Sequence, residues 1–96
     1  MSITRRLQIV NEKGMHARAS ARFVETVEAH DASAEVTRDG QTVSGDSIMG
    51  LLMLAAANGS SIEVTCRGRE AKALMESLDR LVASGFGEGV CEDKLC

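Results

Sequence analysis

A chain of 96 residues has material for one domain and too little for two. Its 11 basic residues against 14 acidic ones give a formal charge of −3, and Phe23 and Phe86 are its only aromatics, so it lacks both the basic surface of a general nucleic-acid binder and a stacking platform for bases. No apolar run reaches the ~18 residues of a membrane span, the start MSITRRLQIV has no apolar signal core, and three cysteines cannot all pair within one chain, which together read as a cytoplasmic protein with reduced thiols.

Residues 5–10 (RRLQIV) alternate and put Leu7 and Ile9 on one face of a half-buried strand. Asn11 to Gly14 break the pattern and predict a loop. From Ala17 to Ala29 the period turns helical: Ser20, Phe23, Val24 and Val27 share one face, while Arg18, Arg22, Glu25 and Glu28 can point to water. Residues 33–38 and 41–44 alternate on either side of Asp39-Gly40, a pair that suits the positive backbone angles of a tight hairpin turn. A second helix is predicted from Ser47 to Asn58, capped by Ser47 or Asp46 and stopped by Gly59. Ile62, Val64 and Cys66 alternate along a fourth strand. Ala71, Leu74, Met75, Leu78, Leu81 and Val82 form the stripe of a last helix, which Gly85 can end.

Smaller features have plain readings. His30 is expected as a solvated residue at the end of the first helix, and Cys66 as a small inward-facing hydrophobe. The final GFGEGVCEDKLC loses periodicity and reads as a frayed tail. Cys91 and Cys96 have no further ligands nearby for a metal, and a cysteine in last position is no prenylation signal. The element order β-α-β-β-α-β-α predicts an α+β fold, a layer of helices on one antiparallel sheet, and leaves the strand order open.

The most informative segment is Gly14-Met15-His16-Ala17-Arg18-Ala19-Ser20. It places a histidine where loop becomes helix, with an arginine two residues on. Unpaired N–H groups and the positive end of the dipole at a helix start make an anion site, and they favour an imidazole that keeps a ring lone pair for nucleophilic attack. Arg18 can pair with the anion that results. The plainer reading is that His16 only starts a helix and Arg18 is a solvated charge.

The second helix adds a different signal. Ile48, Met49, Leu51, Leu52, Met53, Leu54 and the alanines 55–57 cover nearly its whole circumference. Such a helix is either sunk in the core or leaves an apolar stripe exposed for docking. Ser47 at its head is explained by capping alone, although a phosphate added there is electrostatically tolerated.

Two segments, Gly14 to Ser20 and Gly45-Asp46-Ser47-Ile48-Met49-Gly50-Leu51-Leu52-Met53, resemble the active-site and regulatory-serine motifs of HPr, the histidine phosphocarrier family of the bacterial phosphotransferase system. Spacing and element order match over about residues 4–87. The resemblance implies an open-faced β-sandwich with strand order 1-4-2-3 and three helices on one side, formed by residues 1–88 with 89–96 as a tail. It implies phosphorylation of His16 on Nδ1 by enzyme I, charged from phosphoenolpyruvate, and transfer to a IIA-type protein. Arg18 and the N–H groups of Ala17 and Arg18 would hold the phosphoryl group. Ser20, Ala21, Ile48, Met49 and Leu52 would form the rim that partners bury, and Ser47 would be the target of an HPr kinase/phosphorylase. No cofactor or metal is implied, and the chain is expected to act as a monomer through a covalent phosphohistidine rather than as a stand-alone enzyme. Many members carry proline where this chain has Ala19, so the site is expected to be slightly more mobile with its chemistry intact. The Gly-Met-His-Ala-Arg loop and the Leu51-Leu52-Met53-Leu54 run lean toward the nitrogen-related regulatory branch. The alternative is a non-catalytic α+β module that senses a ligand or pairs with another protein, which would leave both motifs as coincidence.

Overall fold

The computed structural model of the protein describes residues 2–54 and 56–87. Its elements run β1 (Ser2–Gln8), α1 (Ala17–Glu28), β2 (Ser33–Arg38), β3 (Gln41–Ser44), α2 (Ile48–Leu54), β4 (Ser61–Arg67) and α3 (Ala71–Ala83). The strands form one antiparallel sheet in the order β1-β4-β2-β3. The expected tail 89–96, with Cys91 and Cys96, lies outside the described residues.

Strand alternation decides which face is dry. Leu7 lies opposite Ile62, and Val64 opposite Val36, which in turn faces Val43. Leu7, Ile62, Val64, Cys66, Ala34 and Val36 are buried against the helices. The residues between them, such as Thr4, Glu63 and Thr65, belong to the opposite, wetter face, where Thr4 and Thr65 share a hydroxyl hydrogen bond of 2.9 Å. α1 turns Ala19, Phe23, Val24 and Val27 inward and α3 turns Ala71, Leu74, Met75, Leu78 and Val82 to meet them. The β2–β3 hairpin turns as its sequence requires, with φ of 51° at Asp39 and 81° at Gly40.

Several boundaries and environments differ from expectation. β1 begins at Ser2 and stops at Gln8: the Ser2–Arg6 stretch, in which Ile3 is the one apolar residue, pairs with β4 without showing apolar alternation. Ile9 lies beyond the strand yet is fully buried, exchanging backbone bonds with Gly59 and Ser60. α2 ends at Leu54 instead of continuing to Asn58. Past Leu54 the carbonyls serve other partners: the Leu54 oxygen accepts from the Arg38 guanidinium (2.8 Å), that of Ala56 from the Met15 N–H (2.9 Å), and that of Ala57 from Ser60. The alanines there carry no stop signal, so the sequence alone shows no end.

Phe86 is not part of a frayed tail. Gly85, at φ 69°, donates to the Val82 carbonyl and Phe86 donates to that of Leu81, the paired bonds of a Schellman motif. In that motif the residue after the glycine returns to the helix, and Phe86 is fully buried. His30 is likewise not simply solvated. Its Nδ1 donates to the Thr26 carbonyl (2.8 Å), and its half-buried ring places Nε2 3.3 Å from the Ser77 hydroxyl, joining the end of α1 to α3.

Candidate functional site

His16 is the N-cap of α1, in extended conformation at φ −76° and ψ −178°. Its Nδ1 accepts a hydrogen bond from the Arg18 N–H at 3.3 Å. An atom that accepts holds a lone pair, so in the neutral ring the proton sits on Nε2. The ring is half-buried, while Ala17 and Arg18 are exposed. A lone pair at the mouth of a twelve-residue helix, with the Arg18 N–H directed at it, suits addition of an anionic group at Nδ1.

The loop in front of the histidine is held by backbone. Gly14 takes φ 61°, and a Cβ there would run into the Ala56 carbonyl and come within 2.8 Å of the Ala57 Cα. Only glycine permits both the angle and that approach. The Met15 N–H donates to Ala56 across the contact, and the Asn58 side chain donates to the Asn11 carbonyl at 3.2 Å. The loop carrying His16 therefore rests directly on the segment that follows α2.

α2 resolves its all-round apolarity by splitting. Leu51 and Leu54 enter the core, whereas Ile48, Met49 and Met53 stand 40%, 69% and 73% exposed. Three large apolar side chains on one short helix, beside the histidine loop, form a patch rather than scattered exposure. Leu52 and Ala21, also expected at the rim, are half-buried. Ser20 departs from the expected rim: it is fully buried, and its hydroxyl donates to the Met15 carbonyl at 3.3 Å. Met53, outside the expected rim, is the most exposed of the three. The i, i+4 spacing from Met49 would have found it. Ser47 does cap α2, its hydroxyl oxygen accepting from the Gly50 N–H at 3.0 Å. Of the Leu51-Leu52-Met53-Leu54 run that leaned toward one branch, only Leu52 and Met53 reach the surface.

Fold and site together define a small open-faced α+β sandwich that presents a helix-capping histidine beside an apolar patch. The model for the PTS HPr component phosphorylation site matches residues 3–84, and the chain belongs to this HPr family. It is 42% identical over 83 residues to the phosphocarrier protein HPr of Neisseria meningitidis, covering 86% of this chain and 93% of that one. Among solved structures, the phosphocarrier protein HPr of Bacillus anthracis superposes with a TM-score of 0.81 at 34% identity, over 84% of this chain and 96% of the other. HPr-C-His of Thermoanaerobacter tengcongensis gives 0.84 at 30% identity, over 94% and 99%.

Proposed function

We propose that this chain is a phosphocarrier of the phosphoenolpyruvate-dependent phosphotransferase system, accepting a phosphoryl group on Nδ1 of His16 from enzyme I and passing it to a IIA-type protein. The observation that carries the reading is the Nδ1 lone pair held at the start of α1 by the Arg18 N–H. In the step, that lone pair attacks phosphorus, the bond from phosphorus to the donor's leaving atom breaks, and the leaving atom keeps the electron pair. The incoming oxygens take over the Arg18 N–H, with the Ala17 N–H and the exposed Arg18 guanidinium as further donors. Docking falls to Ile48, Met49 and Met53, with Leu52 and Ala21 at the edge. Membership of the family and the match of its phosphorylation-site model support this assignment.

Ser47 belongs to the proposal as the regulatory position. Phosphate on its hydroxyl would sit beside Ile48 and Met49, where docking forces an unpaired charge out of water and weakens association. Labelling with enzyme I and radioactive phosphoenolpyruvate tests both parts. Label should enter as acid-labile phosphohistidine, be absent from His16→Ala, and enter the phosphoserine form more slowly. Full labelling of His16→Ala would refute the assignment, and equal rates for the phosphoserine and unmodified forms would reduce Ser47 to a helix cap.

A further inference from the structure

Among the described residues, two polar side chains are buried, Asn11 and Ser20, both with no exposed surface. They come from different places, the loop that follows β1 and the first turn of α1, yet they act on neighbouring peptides. The Asn11 side-chain amide donates to the Gly14 carbonyl at 2.9 Å, and the Ser20 hydroxyl donates to the Met15 carbonyl at 3.3 Å. Those two carbonyls belong to the residues that lead into His16.

The Gly14 carbonyl also accepts the His16 N–H at 2.9 Å, so the backbone makes a three-residue turn centred on Met15. Asn11 is thus a second donor on the oxygen that closes this turn. Met15 is fixed on its other side by its own N–H to Ala56 and by a buried side chain. Buried polar groups cost stability unless they are bonded, and an apolar core residue would serve packing at either position without that cost. Both are spent on the same two peptides, immediately before the phosphoacceptor.

We infer that Asn11 and Ser20 are positioning residues for phosphoryl transfer: together they lock the Gly14–Met15 turn so that His16 enters α1 with Nδ1 facing the Arg18 N–H. This deepens the proposed function and rests on it. Neither residue touches the phosphoryl group. Their effect reaches it through the direction in which His16 leaves the turn, and transfer in line between two proteins is sensitive to displacements of about 1 Å.

The role separates from simple stability by its chemistry. Asn11→Asp keeps the size of the side chain but replaces the donor with a carboxylate that opposes the Gly14 carbonyl. When protonated, that carboxyl can donate again. Ser20→Ala removes the other donor and adds no bulk. Both variants retain Ile48, Met49 and Met53, so docking should be preserved. The experiment measures phosphoryl uptake from phosphorylated enzyme I, resolved into kcat and KM, for wild type and both variants across pH 5–8, with ring nitrogen NMR of His16. For each variant kcat should fall at least about fivefold near neutral pH with KM within twofold, and the bond from the Arg18 N–H to Nδ1 should weaken in the ring spectrum. The ratio of Asn11→Asp to wild type should recover as pH falls and the carboxyl protonates. If Asn11→Asp does not fold, Ser20→Ala alone decides. Wild-type rates in variants of a labelled wild type would overturn the positioning role and leave the proposed function standing. No labelling of wild type itself would overturn both.

Discussion

At His16 the decisive quantity is direction rather than charge. Nδ1 accepts the Arg18 N–H, so under the proposed function one main-chain donor would orient the nucleophile and later meet the group it receives. The Arg18 side chain is exposed, so under the proposed function it would contribute only when a dianion arrives. Arg18→Ala keeps the main-chain donor and removes the guanidinium. Phosphoryl uptake should therefore fall on the order of tenfold, about 1.4 kcal/mol of transition-state stabilisation, with an unchanged melting temperature. Stopped-flow transfer kinetics with enzyme I check this, and unchanged rates to and from both partners would make Arg18 a bystander. Sequence spacing indicates that His16 and Arg18 belong together. The burial of Ser20 is less legible, since a serine in the first turn of a helix reads equally well as surface, and only the path of the Gly14–Met15 turn brings a carbonyl within its reach.

At the scale of elements, α2 carries the proposed docking surface. Its core side is fixed by Leu51 and Leu54, so changes at Met49 should spare the fold. Met49→Asp is expected to raise the apparent dissociation constant for enzyme I by at least about tenfold, with a melting temperature within a few degrees of wild type. Titration calorimetry beside a thermal melt measures both, and a variant that binds normally would move the docking surface elsewhere. Strands β2, β3 and β4, the Asp39-Gly40 turn and the apolar stripes of α1 and α3 are readable because each period matches its element, whereas the start of β1 is not, since its first half lacks apolar alternation. The end of α2 was not, because it is set by Arg38 and Met15, residues distant in sequence that claim the carbonyls beyond it. Phe86 was missed for a related reason: a lone aromatic between glycines has no period, and only the pairing of Leu81 with Gly85-Phe86 as a helix-ending motif indicates that it turns back to the core.

For the molecule as a whole, one sheet face and three helices enclose a single core, and no helix among the described residues is long and apolar enough to cross a membrane. Cys66 lies in that core, where burial pushes its thiol up from 9.0 to about 11. The unfolded chain sheds this proton near pH 9 while the native protein keeps it, so the unfolded state binds fewer protons and stability falls as pH rises from 9 to 11. Below pH 9 the contribution is complete. The loss should amount to about 1–3 kcal/mol and should disappear in Cys66→Ala, whatever that variant's stability at pH 8. Urea melts of both proteins between pH 8 and 11 test it, and parallel pH profiles would contradict it. After incubation with enzyme I and phosphoenolpyruvate, nitrogen and phosphorus NMR of the intact protein should place a single phosphoryl group on Nδ1 of His16, with the His30 ring unchanged. Phosphate found on Nε2, on His30, or on no histidine would contradict the account.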